Sequence, residues 1–257
     1  MMRNAKDLKN FKLGALDGDI GRVKDFYFDD AKWVVRYLVA DTGTWLPERQ
    51  VLISPWSLQR VDESSKLLHV SLTRDQIEKS PGVETEKPVS RQFEIEYYRY
   101  YGWPYYWTGP ALWGVEAYPY FGYGIGPVLE EPRRDAGDPH LRSTHEVTGY
   151  HIHARDGEIG HVEDFVIDDM NWAIRYLAVD TRNWWPGKKV LLAPQWIDAI
   201  SWEKSMVEVH LPRSVIQGAP EFDMDKPISR EYEQALWRYY DREGYWLRET
   251  PPAARAA

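Results

Sequence analysis

The sequence predicts a mainly β protein: two tandem six-stranded β-barrels, each followed by short helices. Three observations predict it. Residues 17–58 (DGDIGRVKDFYFDDAKWVVRYLVADTGTWLPERQVLISPWSL) and 156–197 (DGEIGHVEDFVIDDMNWAIRYLAVDTRNWWPGKKVLLAPQWI) are one segment written twice, and the offset of 139 holds without a gap from Arg3/Arg142 to Trp107/Trp246. Solenoid units run to roughly 20–50 residues, so a period this long marks a duplicated domain. Within each copy the apolar residues alternate with period 2, the signature of strands, and turn residues separate the runs.

Each repeat opens with a strand at 10–15, matched at 149–154. Next comes a hairpin of 20–28 and 33–40, whose turn is Asp29-Asp30-Ala31-Lys32, since aspartate bonds its own backbone in tight turns. It recurs as 159–167, Asp168-Asp169-Met170-Asn171 and 172–179. Both faces of 33–40 are largely apolar, as expected of a strand covered on two sides. Further strands at 49–53, 58–62 and 66–72 have partners near 188–192, 197–201 and 205–211. Closure into a barrel is expected because an open sheet of short strands exposes two edges. Thr73-Arg74-Asp75-Gln76 fits a capping box. Ser90 and Ser229 stand at N-cap positions of helices expected over 91–101 and 230–242, each with a largely aromatic stripe (Phe93, Tyr97, Tyr100; Tyr232, Leu236, Tyr239) that packs on the barrel or, in the alternative, is an exposed docking stripe.

This divides the chain into repeat 1 with its helix (1–102), an aromatic Gly/Pro-rich connector (103–139), repeat 2 with its helix (140–248) and a tail (249–257). Composition narrows the function. With 32 Lys+Arg against 40 Asp+Glu, the formal net charge is −8, which argues against a nucleic-acid partner, because phosphate binding needs a basic patch. The chain has no cysteine, which removes disulfides, thiolate zinc sites and thiol catalysis. The N-terminus lacks the apolar core of a signal peptide and no run of 18 apolar residues occurs, so a cytoplasmic protein is expected.

The hairpin and its surroundings resemble the PRC-barrel family. The match is carried by Asp17-Gly18, Ile20-Gly21, Val23, Asp25, Asp29, Trp33, Arg36-Tyr37-Leu38, Asp41-Thr42, Trp45, Val51-Leu52 and Pro55, and by the equivalent run from Asp156-Gly157 to Pro194. It spans roughly residues 5–75 and 144–214. The resemblance implies a six-stranded barrel, as in the photosynthetic reaction-centre H subunit and a ribosome-maturation factor, where the barrel is an assembly surface rather than a catalyst. Closer in organisation are the stand-alone tandem PRC-barrel proteins of bacteria, whose activity is not defined.

Candidate residues fall into three groups. Asp25, Trp33, Arg36 and Asp41, with Asp164, Trp172, Arg175 and Asp180, form the repeated motif and are expected to be structural, with Asp25 facing Arg36 across the hairpin. Trp33 and Trp172 are expected to begin their strands and cover one end of each core. From the end of the first helix into the connector, 13 aromatics fall in residues 97–123. Trp103, Tyr105, Tyr106, Trp107, Trp113, Tyr118, Tyr120 and Phe121 are candidate interaction residues, because low-charge surface rich in Tyr and Trp is what interface cores are made of. They could glue the barrels together, build an oligomer interface, or meet a membrane surface or ligand; changing Trp103 or Trp107 is expected to leave the barrels folded. His145, His151, His153 and His161 cluster in repeat 2, but repeat 1 has Lys6, Lys12, Gly14 and Arg22 there, so no metal is expected of the barrel itself.

No phosphate loop, catalytic triad motif or metalloprotease helix occurs. The expectation is a non-enzyme without cofactor or metal: a protein-interaction and assembly module, homodimeric, meeting protein partners. The alternative is a binding protein for a small apolar or aromatic ligand at the inter-barrel or connector surface.

Overall fold

The structure, a computed structural model, describes residues 1–46, 50–82, 89–119, 140–181 and 188–249. The first repeat runs β1 (Met2–Asn4), α1 (Ala5–Leu8), β2 (Lys12–Ala15), β3 (Gly18–Asp29), β4 (Val34–Asp41), β5 (Val51–Ile53), β6 (Leu58–Asp62), β7 (Leu67–Val70), α2 (Arg74–Lys79) and α3 (Arg91–Tyr101). The second gives β8 (Leu141–Ser143), α4 (Thr144–Val147), β9 (His151–Ala154), β10 (Gly157–Asp168), β11 (Ile174–Asp180), β12 (Lys189–Leu192), β13 (Ile197–Ser201), β14 (Met206–Val209), α5 (Arg213–Gly218) and α6 (Arg230–Tyr239).

The chain forms two compact units that do not coincide with the repeats. The N unit is Lys6–Thr144 with Asp169–Ala173; the C unit is Met1–Ala5, His145–Asp168 and Ile174–Ala257. Relative to the sequence-based division, the first residues leave repeat 1, and residues 103–119 and 141–144 belong to the N unit instead of standing apart from it or opening repeat 2.

Each unit holds a seven-stranded mixed sheet, where six strands were expected. In the N unit the order is β5-β4-β3-β2-β7-β6, with β8 also paired to β3; in the C unit it is β12-β11-β10-β9-β14-β13, with β1 paired to β10. All pairings are antiparallel except β2 with β7 and β9 with β14. The expected closed barrels are not shown. Among the described residues no hydrogen-bonded ladder joins β5 to β6 or β12 to β13. The link between those strands is a 3-10 turn that starts at Pro55 or Pro194. Proline offers no N–H to a ladder, so the chain turns a corner there instead of extending one.

The helices follow their caps. Thr73 and Gln76 form the expected capping box of α2. In α5 Pro212 supplies no such cap, and the amide of Arg213 donates to Asp156 Oδ1 at 2.7 Å. Asp17 serves Arg74 in the same way at 2.8 Å. Ser90 and Ser229 cap α3 and α6. The second of these stops at Tyr239, short of the expected 242, because Asp241 turns left-handed at φ 52°.

Two glycines fix the strand crossings. Gly21 and Gly160 have φ of 116° and 151°, and a Cβ on either would lie 1.9 or 2.0 Å from the carbonyl oxygen of Asp41 or Asp180. No side chain fits such an approach. Gly21→Ala and Gly160→Ala are expected to cost about 2 kcal/mol or more each, strain and backbone displacement together. Urea denaturation reads this as a lower midpoint, and parent-like midpoints in both variants would contradict the close approach.

Candidate functional site

Two β-bulges in each hairpin aim the repeated motif residues. Val23 pairs with Ala40 and Asp25 with Val39, leaving Lys24 as the extra residue; Tyr27 pairs with Tyr37 and Phe28 with Val35, leaving Arg36. The C unit has the same bulges at Glu163 and Arg175. A bulge re-aims side chains next to it. Arg36, fully buried, therefore donates through Nη2 to Asp29 Oδ2 at 3.0 Å, and not to Asp25 as expected. Asp25 turns instead to the hydroxyls of Ser143 and Thr144 and to Lys9 Nζ at 3.1 Å. Arg175 likewise donates to Asp168 Oδ2, at 3.1 Å. Asp164 and Asp180 are buried, whereas Asp41 is exposed and accepts from the amide of Gly43 at 3.1 Å.

Beside each arginine lies a buried carboxylate that the repeated motif did not include. Glu94, on α3, has no exposed surface. Its Oε1 accepts from the hydroxyls of Tyr106 at 2.7 Å and Tyr37 at 3.2 Å, and its Oε2 lies 2.9 Å from Arg91 Nη1 and 2.8 Å from His140 Nε2. In the C unit Glu233 on α6 takes Tyr176 at 2.7 Å, Tyr245 at 2.9 Å and Arg230 at 2.9 Å. The guanidinium of Arg36 lies 3.8 Å from the ring centre of Tyr106, and that of Arg175 lies 4.0 Å from Tyr245, cation–π contacts that join the two clusters of each unit. These residues stand 139 apart in sequence: Tyr37/Tyr176, Arg91/Arg230, Glu94/Glu233 and Tyr106/Tyr245. Their identity in both copies was the available signal.

The outer side of each arginine is closed differently. Arg36 Nη1 donates to the carbonyl of Leu112 at 2.7 Å, and its guanidinium lies 4.8 Å from the Trp113 ring. Arg175 instead meets both oxygens of Glu249, at 2.5 and 2.7 Å.

The connector residues are thus part of a core. Trp103, Tyr105, Tyr106 and Trp113 are buried in the N unit, and Trp107 and Tyr118 are half-buried. Lys32 Nζ donates to the carbonyls of Gly109 and Ala111 at 2.8 and 2.6 Å, and Trp113 Nε1 to that of Asn171 at 2.8 Å. Truncating Trp103 therefore bears on folding, against the expectation that the barrels tolerate it. Tyr120 and Phe121 lie outside the described residues. The tryptophans of the hairpin turns also differ from expectation. Trp33 and Trp172 do not begin strands but end turns, at φ 55° and 61°. Trp33 is half-buried, stacked on Phe28 at 5.3 Å, while Trp172 is buried within the N unit and not in the core of its own repeat.

One group with metal-ligand chemistry forms among the described residues. His161, Glu163 and Asp180 bring their ligand atoms within 4.8 Å of one another. His161 faces Asp180 across the β10–β11 ladder, and the bulge places Glu163 beside them. Lys189 Nζ sits 3.0 Å from Glu163 Oε1, so a cation would have to displace an ammonium. Repeat 1 carries Arg22, Lys24 and Asp41 at these positions. His161 Nε2 lies 3.8 Å from Glu163 Oε2. His151 and His153 point outward, with His151 2.9 Å from Glu158. An open hollow of about 480 Å³ in the C unit is lined by Lys189, Glu221, Phe222, Asp223, Met224, Asp225 and Lys226. Its charged lining suits water better than an apolar ligand.

No helix among the described residues is long and apolar enough to cross a membrane. No protein-family model matches the chain, and no curated protein matches it.

Burial pushes the phenols of Tyr37 and Tyr106 well above their ordinary range, and the charge of Glu94 adds to it. Burial and Glu233 do the same for Tyr176. A raised folded-state pKa contributes stability that is complete below the unfolded value of about 10 and is lost as pH rises above it. Stability is therefore expected to fall above about pH 10. In an alkaline titration followed by phenolate absorbance, these tyrosines should ionise only together with loss of far-ultraviolet circular dichroism. Full ionisation of every tyrosine in a still-folded protein would contradict the buried clusters.

Proposed function

We propose that this chain is a non-catalytic protein-interaction and assembly module, built from two PRC-type barrels, that works in the cytoplasm as a homodimer. The supporting observation is a surface feature repeated in both units. Tyr100 and Tyr239 stand at the same position of the two repeats, on α3 and α6, and are 42% and 40% exposed. Each hydroxyl is held by a backbone carbonyl, Tyr100 by Gln76 at 3.0 Å and Tyr239 by Val215 at 2.8 Å. A tyrosine already ordered loses little entropy on binding, and exposed, rigid aromatics are what interfaces use as anchors. Among the other polar residues kept in both copies, Glu94/Glu233 and Arg36/Arg175 with their tyrosines are engaged inside their units. They favour a role in folding over one in chemistry on a substrate.

The test is a Tyr100→Ala/Tyr239→Ala variant beside the parent. Loss of two exposed hydrogen bonds costs about 1 kcal/mol each at most, so the variant should melt close to the parent. Light scattering after gel filtration should give twice the chain mass of 30.2 kDa for the parent and a single chain for the variant. A parent that runs as one chain, or a variant that assembles like the parent, would overturn the proposal.

A further inference from the structure

In each sheet the opening strand of the other repeat pairs with the long hairpin strand. β3 and β10 are 12 residues long, whereas β2 and β9 beside them have 4. A long strand next to a short one leaves a stretch of edge without a ladder partner, which invites another strand. On β3 that stretch is Tyr27, Phe28 and Asp29, paired to Ser143, Arg142 and Leu141 of β8. On β10 it is Val166, Ile167 and Asp168, paired to Asn4, Arg3 and Met2 of β1. The two pairings are identical at the offset of 139. The opening strand of each repeat thus completes the sheet of the other.

The slot on β3 reads side chains as well as backbone. Arg142 Nε donates to Asp30 Oδ2 at 2.9 Å, and the amide of Asp30 donates to the carbonyl of His140 at 3.1 Å. The Ser143 hydroxyl donates to Asp25 Oδ2 and the Thr144 hydroxyl to Asp25 Oδ1, the latter at 2.7 Å. Asp25 is buried, so these are charge-assisted bonds shielded from water. The slot on β10 has other chemistry: Asn4 and Ala5 replace Ser143 and Thr144, and Asn4 Nδ2 donates to the carbonyl of Met224 at 2.9 Å.

We propose that the β3 edge is a sequence-reading docking site for an extended Arg-Ser-Thr segment, filled by residues 142–144 of this chain. Reciprocal docking of β8 and β1, together with Asp169–Ala173 packed in the N unit, then holds the halves of the chain together without a covalent connector. The test cuts the folded protein. A protease site flanked by glycine and serine is inserted between residues 130 and 131, the intact chain is folded and cleaved, and the product is run on gel filtration at micromolar concentration. The two fragments, separate on a denaturing gel, should co-elute. An Arg142→Ala/Ser143→Ala/Thr144→Ala variant keeps the backbone ladder and loses the side-chain reading, so its halves should dissociate at least tenfold more readily on dilution. Its uncut form is first checked by circular dichroism, and Ser143→Ala alone replaces it if the triple variant does not fold. Halves that separate in the parent would overturn reciprocal docking. Halves that stay together equally well in the variant would overturn the reading of residues 142–144.

Discussion

A carboxylate with no access to water has to be paired on every side, and the fold of each unit is arranged to do that for Glu94 and Glu233. Removing one partner of a buried charge pair typically costs about 3–5 kcal/mol, because the other charge is left without compensation. Glu94 draws one partner from each layer of its unit: Tyr37 from β4, Arg91 from its own helix and Tyr106 from the segment beyond that helix. One side chain thereby ties strand, helix and connector together. The aromatic crowding around it follows from the same need, since rings exclude water while their hydroxyls supply the hydrogen bonds. Tyr98 packs against Tyr37, Trp103 and Tyr106 at centroid distances of 6.4, 6.1 and 5.8 Å.

The second constraint is the bulged hairpin. A regular β3–β4 ladder would alternate its side chains strictly, and one extra residue at Lys24 and another at Arg36 break that alternation. The bulges turn Arg36 toward Asp29 and Asp25 toward Ser143 and Thr144. Both units keep this geometry but finish it with different residues. A backbone carbonyl and Trp113 cover Arg36, whereas a carboxylate, Glu249, covers Arg175. Duplication has thus preserved the inner partners of each cluster and left the outer ones free to vary.

Much of this was legible in the sequence. Alternation located six strands per repeat, and Thr73, Ser90 and Ser229 marked helix starts, because caps and periodicity are local signals. The seventh strands, Met2–Asn4 and Leu141–Ser143, were not legible. Three residues carry no period, and their ladder partners lie 162 to 166 residues away for Met2–Asn4 and 112 to 116 away for Leu141–Ser143. The Asp25–Arg36 pairing failed because the bulge at Arg36 shifts the register by one, which leaves no trace in composition. The connector is ambiguous in the sequence for a physical reason too: aromatics free of charge suit a protein core as well as an interface. The fold decides between them, placing Trp103 and Trp113 inside. Glu94 and Glu233 look like ordinary helix-surface glutamates until they are aligned, when each falls with an identical Arg three residues before it and an identical Tyr twelve after.

The claim that the buried carboxylate organises its unit is tested most directly by a double-mutant cycle between Glu94 and Tyr106. Urea unfolding of the parent, Glu94→Gln, Tyr106→Phe and the double variant yields the coupling between the two side chains. Residues sharing one buried network couple by about 0.5–3 kcal/mol, and a value of about 1 kcal/mol or more is predicted here. Strict additivity, with a coupling below about 0.5 kcal/mol, would show that Glu94 and Tyr106 contribute independently and would contradict the account.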